Sequence, residues 1–240
     1  IMATSNKILL NYLVFDDEDD EIKQNESNIK ASGFDCNLNF INPVRYWNQD
    51  TNEFEIEKFK SKLIDIVKGK QISLIASDWN MVPETENYKE VNALEIIKIL
   101  VESNPKFKKP QYLIYSGKPK EVSQVLIKEI QNDISSNDEP IYSKELLSML
   151  LEMKIKFCSR AERFNEINTL INSSKTISLI FLNSLSQFDT NKLHNTGNDD
   201  FDGRQIGELL DLISQNNDLG LKFIREIIEL SISHYSRLNE

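Results

Sequence analysis

The first 155 residues alternate between short apolar runs and longer stretches with helical spacing. KILLNYLVF (7–15), DCNLNFIN (35–42), ISLIASD (72–78) and PQYLIYSG (110–117) read as strands, and EPIYSK (139–144) as a short fifth one. Between them, 22–34, 53–70, 90–103, 118–135 and 145–157 carry apolar residues three and four apart and read as helices. Ser32-Gly33, Gly69 and Asn104-Pro105 are stop signals for the first three. Pro119 falls in the first turn of the fourth, where proline is tolerated. Strands alternating with helices imply right-handed crossovers and a parallel sheet covered on both faces. Strands that are apolar throughout suit such a sheet.

The pattern changes in the second half. From about 145 onward it is helical, over 154–174, 175–188, 204–215 and 219–238. The polar, Asn/Asp/Gly-rich stretch 189–203 reads as a loop. The expectation is an α/β domain over 1–155, with a doubly wound five-stranded parallel sheet, and a smaller all-α region over 156–240. The aliphatic stripe at 221–232 reads as a core or homodimer face.

Composition narrows the function. The formal net charge of −10 argues against nucleic acid, which needs a basic footprint, and against an anionic membrane surface. Cys36 and Cys158 stand alone, with no zinc-type spacing, and fit a reducing compartment. No apolar stretch approaches the ~20 residues that span a bilayer. IMATSNK has no signal-peptide architecture. A soluble, cytoplasmic protein is expected.

Ligands of an open α/β sheet bind beyond the carboxyl ends of its strands. Those ends carry Asp16 and Asp17, Asp78, Ser116 and Lys144. Like charges at ~4 Å repel by roughly 4 kcal/mol at an effective dielectric near 20. A hard divalent cation such as Mg2+ relieves that repulsion. A carboxylate beside Mg2+, a hydroxyl and an ammonium can accept a phosphoryl group.

VFDDE (14–18), SDWNM (77–81) followed by Pro83, ALEIIKIL (93–100) and YLIYSG (112–117) together resemble the receiver domain of response regulators, over roughly residues 7–155. SDWNM is the most specific part, similar to the phosphoacceptor segment of the chemotaxis receiver. The resemblance implies a flavodoxin-like receiver fold with Asp78 as phosphorylation site. It implies Mg2+ held by Asp16, Asp17, Asp78 and the backbone carbonyl of Asn80. Ser116 would bond the phosphoryl group and Lys144 would pair with it. It also implies two-component signalling, with a histidine kinase or phosphotransfer protein as donor and only receiver-type self-phosphorylation chemistry. The helical region would be an output or dimerisation unit with a protein partner of its own.

This sequence departs from the family in three places. SKE (143–145) lacks the usual proline after the lysine; GKP (117–119) has one, but choosing Lys118 would leave out a strand and a helix. The links 44–55 and 82–92 are long, with Val91-Asn92 where the family has Asp-Gly. Two other functions stay open. One is a degenerate receiver serving as a phosphorylation-independent scaffold. The other is a haloacid-dehalogenase-like phosphatase with Asp16 or Asp17 as nucleophile.

Overall fold

The structure is a computed structural model that describes residues 8–31, 34–82, 91–173, 177–215 and 217–237. The chain divides into two compact units, residues 1–68 with 72–175, and residues 69–71 with 176–240.

The first unit is built on five parallel strands, β1 (Ile8–Phe15), β2 (Phe34–Ile41), β3 (Ile72–Asp78), β4 (Gln111–Ser116) and β5 (Lys156–Ser159). They lie in the order β2-β1-β3-β4-β5, the doubly wound, flavodoxin-like arrangement. Every residue of β3 is buried, as a central parallel strand with both faces covered requires. Helices α1 (Glu21–Asn28), α2 (Ile56–Val67), α3 (Ala93–Ser103), α4 (Pro119–Ser136), α5 (Ile141–Glu152) and α6 (Arg163–Ser173) connect and follow these strands.

Strand alternation divides the core between two faces. Leu13, Phe15, Ile75 and Ile114 belong to one cluster with Phe59 and Leu63 of α2, Ile96, Ile97 and Leu100 of α3, Val122 of α4 and Leu146 of α5. Tyr12, Val14, Ala76 and Tyr115 alternate with those strand positions and are also buried. On Tyr115's face lies α6, whose Arg163 guanidinium sits 5.9 Å from the Tyr115 ring centre. α1 is tied to α6 by a buried ion pair, Arg163 Nη2 to Glu21 Oε1 at 2.6 Å. Asn168 adds two bonds, accepting from Lys30 N–H at 2.9 Å and donating to the Asn28 carbonyl at 3.0 Å.

The long links are folded. After β2, Trp47–Asn48 pairs with Glu53–Phe54 in a small antiparallel ribbon, and the Tyr46 ring meets Phe59 edge-on while that of Phe54 packs against it at a tilt. After β3, Asn80–Val82 pairs with Val91–Asn92, with Val82 opposite Val91 and both buried. Asn92 then caps α3, its side chain accepting from Leu94 N–H and Glu95 N–H. Residues 83–90 of that link lie outside the described residues.

Two expectations fail, and they are linked. Residues 139–144 are not a strand; Ile141–Glu152 is helix α5, with Tyr142, Leu146, Met149, Leu150 and Met153 turned to the core cluster at helical spacing. The fifth strand is Lys156–Ser159, inside a stretch that reads as helix from the sequence. Lys154, at φ 51°, takes the left-handed conformation that ends α5. The domain boundary expected at 155 therefore moves to 175, because β5 and α6 complete the first unit. The edge strand is four residues long and half-exposed, too short for a periodic signal.

The second unit is all-α: α7 (Ile177–Ser186), α8 (Ile206–Ser214) and α9 (Asp218–Arg237). Phe201, Leu209, Ile213 and Phe223 form its core, with the Phe201 and Phe223 rings 5.3 Å apart. α8 and α9 cross closely at Gly220, where a Cβ would collide with the backbone of Leu212 and Ile213. No helix among the described residues is long and apolar enough to cross a membrane.

Truncation tests the boundary. A chain ending after Ile155 loses β5, α6 and Arg163, and strands Glu21 as an unpaired buried carboxylate; that form is expected to show no cooperative thermal transition. A chain ending after Lys175 is expected to unfold cooperatively, as followed by circular dichroism.

Candidate functional site

Sheet register brings the acidic residues together. Phe15 pairs with Ser77, so the next residues, Asp16 and Asp78, leave their strands side by side. Asp78 in turn pairs with Tyr115, and Ser116 with Ser159, which places Arg160 just past the end of β5. Asp16 is fully buried and Asp78 nearly so, at 7% exposure, whereas Asp17 is exposed. Carboxylate oxygens of Asp16, Asp17 and Asp78 lie within 4.8 Å of one another.

Asp16 is held on all sides. Its Oδ1 accepts from Glu18 N–H at 2.8 Å, and its Oδ2 from the Tyr115 hydroxyl at 2.7 Å. Arg160 Nη2 lies 3.0 Å from each oxygen. Burial, and then the Asp16 charge, raise the Tyr115 pKa well above its usual value, so Tyr115 stays a donor. Asp78 Oδ1 accepts from Trp79 N–H at 2.9 Å, and its Oδ2 lies 3.7 Å from Arg160 Nη1. Trp79 is itself core, 3% exposed, and its N–H also donates to the Tyr115 carbonyl at 2.8 Å.

Charge repulsion and desolvation set the titration of the site. Burial, and next the Asp16 charge, push the Asp78 carboxyl up to about 7; Arg160 and the Trp79 N–H oppose them. Burial and Asp16 likewise raise Asp17. Burial works against the Arg160 charge, but Asp16, Asp78, Glu18 and Glu21 outweigh it and hold its pKa above normal.

The other expected residues are placed differently. Ser116 is buried at the end of β4, but its Oγ accepts from Lys118 N–H at 3.0 Å and so serves the turn into α4. Asn80 lies two residues past Asp78, paired with Asn92, with its side chain exposed. Lys144 is not at a strand end: it is an exposed residue on α5, because the segment expected as β5 is helical. Lys118 is exposed too, and pairs with Glu121 at 3.1 Å. The cation at the end of the fifth strand is Arg160. Sequence reasoning missed it together with Tyr115 and the Glu21–Arg163 pair. The four residues of β5 are too few to give a periodic signal, so nothing local in the sequence marks Arg160 as a strand-end residue.

Three clustered carboxylates are hard oxygen donors of the kind that suit Mg2+ or Mn2+. They fit such an ion in kind, although Asp16 is already engaged by Arg160, Tyr115 and Glu18.

No protein-family model matches the chain, and no curated protein matches it. Among solved structures, the Legionella pneumophila response regulator LqsR aligns at 12% identity and a TM-score of 0.37, over 88% of this chain and 57% of its own. The chain thus spans just over half the length of that protein. The flavodoxin-like assignment rests on strand order and register.

A raised Asp78 pKa has a definite effect on stability. The unfolded chain ionises Asp78 near 3.8, the folded, metal-free chain only near 7. Between those values the folded state binds more protons, so this group lowers stability as pH rises through the window. Asp78→Asn is therefore expected to match wild type near pH 4 in metal-free buffer. At pH 8 it should be more stable by about 1–3 kcal/mol, read as a Tm difference of several degrees. Parallel Tm–pH curves for the two proteins would refute the assignment.

Proposed function

We propose that the first unit is a receiver-type signalling module that accepts a phosphoryl group on Asp78. One observation carries this reading: the central strand of a flavodoxin-like sheet ends on a near-buried carboxylate, with two more carboxylates within 4.8 Å. That corner lies beside the point where strand order reverses, between β1 and β3, the usual place for chemistry in such sheets.

In the proposed reaction an Asp78 carboxylate oxygen attacks phosphorus in line. The new O–P bond forms as the bond to the leaving group breaks. With a phosphohistidine donor the imidazole departs and takes up a proton from solvent. A divalent cation held by Asp17 and Asp78, with Asp16, would neutralise charge on the transferring oxygens. Asp16, with four hydrogen bonds already accepted, is the poorer nucleophile. Arg160, whose Nη1 lies 3.7 Å from Asp78 Oδ2, would take the charge-pairing role that the family resemblance gave to Lys144, once released from Asp16. Ser116 would exchange its bond from Lys118 N–H for one to the phosphoryl group, biasing the turn into α4 between two states. The donor would be a cytoplasmic histidine kinase or phosphotransfer protein. The α7–α9 unit would be the output or dimerisation element, bound by a further protein.

A second reading is a scaffold that binds partners without phosphorylation. The hydrogen-bond saturation of Asp16 favours it, since a site filled by its own arginine can be structurally complete.

Incubation with Mg2+ and acetyl phosphate, followed by intact mass, separates the two. The receiver reading expects one added phosphoryl group, a change in Trp79 fluorescence, and loss of both in Asp78→Asn. An adduct that survives Asp78→Asn but not Asp17→Asn would indicate a phosphatase-like nucleophile. No adduct with either acetyl phosphate or beryllofluoride would favour the scaffold.

A further inference from the structure

The acidic corner contains its own cation. Each oxygen of Asp16 accepts two hydrogen bonds: Oδ1 from Glu18 N–H and Arg160 Nη2, Oδ2 from the Tyr115 hydroxyl and Arg160 Nη2. An ionised carboxylate offers about four acceptor sites. Asp16 therefore has none left for a metal while Arg160 stays in place. The other guanidinium nitrogen, Nη1, reaches Glu18 Oε1 at 3.3 Å and approaches Asp78 Oδ2 at 3.7 Å. One side chain thus covers the carboxylate corner from β1 to β3.

The backbone of Arg160 is fixed while its side chain has somewhere to go. Arg160 N–H donates to the Ser116 carbonyl at 2.8 Å, and its own carbonyl accepts from Arg163 Nη1. Its guanidinium is not sealed in, with a quarter of the side chain exposed. Alternative carboxylates stand beside it: Glu18 at the surface, and Glu21 Oε1 at 3.8 Å from Nη2.

We propose that Arg160 is the resident cation of this site and competes with a divalent metal ion for Asp16, so that metal binds only when the guanidinium leaves. This rests on the metal-dependent receiver reading and deepens it by naming what controls metal entry. A guanidinium cannot be switched off by deprotonation, so the competition persists at any working pH. While Nη2 bridges both Asp16 oxygens, Nη1 reaches towards Glu18 and Asp78, a span that the single ammonium of lysine does not have. Arg163 keeps its bonds to the Arg160 carbonyl and to Glu21 in either position of the guanidinium, so the start of α6 stays anchored while the side chain moves.

Mn2+ binding to the full chain, counted from free Mn2+ by electron paramagnetic resonance, tests this. Arg160→Gln is expected to bind Mn2+ at least about tenfold more tightly than wild type, with Arg160→Lys between them. A merely structural arginine would give the opposite result, since its loss would loosen the site. If Arg160→Gln does not fold without metal, Arg160→Lys alone decides by the same comparison. Wild-type binding with unchanged or weaker binding in the variants overturns the proposal and leaves the receiver reading standing. No Mn2+ binding by wild type or by either variant overturns both.

Discussion

Two carboxylates, Asp16 and Asp78, are buried side by side where β1 and β3 end. Burial alone penalises each charge, and proximity adds repulsion of the order of 4 kcal/mol at 4 Å and an effective dielectric near 20. Arg160, Tyr115 and two backbone N–H groups offset this for the pair. The compensation is unequal. Asp16 accepts the phenol and a guanidinium nitrogen that bridges both its oxygens, whereas Asp78 receives one N–H and a cation at 3.7 Å. That inequality leaves Asp78 with a raised pKa and uncommitted lone pairs. A less satisfied carboxylate at the rim of a sheet is the one available for chemistry.

The same constraint shapes the elements around it. Arg160 can reach Asp16 only because β5 pairs with β4 and ends at Ser159. β5 is a short edge strand, set in place by the α4–α5 helical pair before it and by α6 after it. The buried Glu21–Arg163 pair then fixes α6 to α1. Breaking such a pair on one side leaves an uncompensated buried charge, so the strand, the helix and the site stand or fall together.

How far this could be read from the sequence follows from burial. β1 and β3 are central strands with both faces covered, so their apolar runs are continuous and their ends are abrupt. Asp16, Asp17 and Asp78 were legible for that reason, and register alone then brings them together. β5 escaped because Lys156-Phe157-Cys158-Ser159 is half-exposed and too short to show a period, while Ile141-Tyr142 imitates a strand start. The expectation for Lys144 depended on that strand and fell with it. Arg160 carries no local signal; its role depends on contacts 144 residues away in sequence, with Asp16. Val82 and Val91-Asn92 belong to the long link after Asp78 that departs from the family pattern. They form a paired, buried ribbon that delivers the Asn92 cap to α3.

A crystal structure of the protein grown with Mg2+ and beryllofluoride would show whether Asp78 is the acceptor and whether Arg160 gives way to the metal. A beryllofluoride group is expected on Asp78 Oδ, with a cation in contact with Asp17 and Asp78 and the Arg160 guanidinium withdrawn from Asp16. Beryllofluoride on another residue, or a cation seated on Asp16 with Arg160 still bridging both of its oxygens, would contradict this expectation.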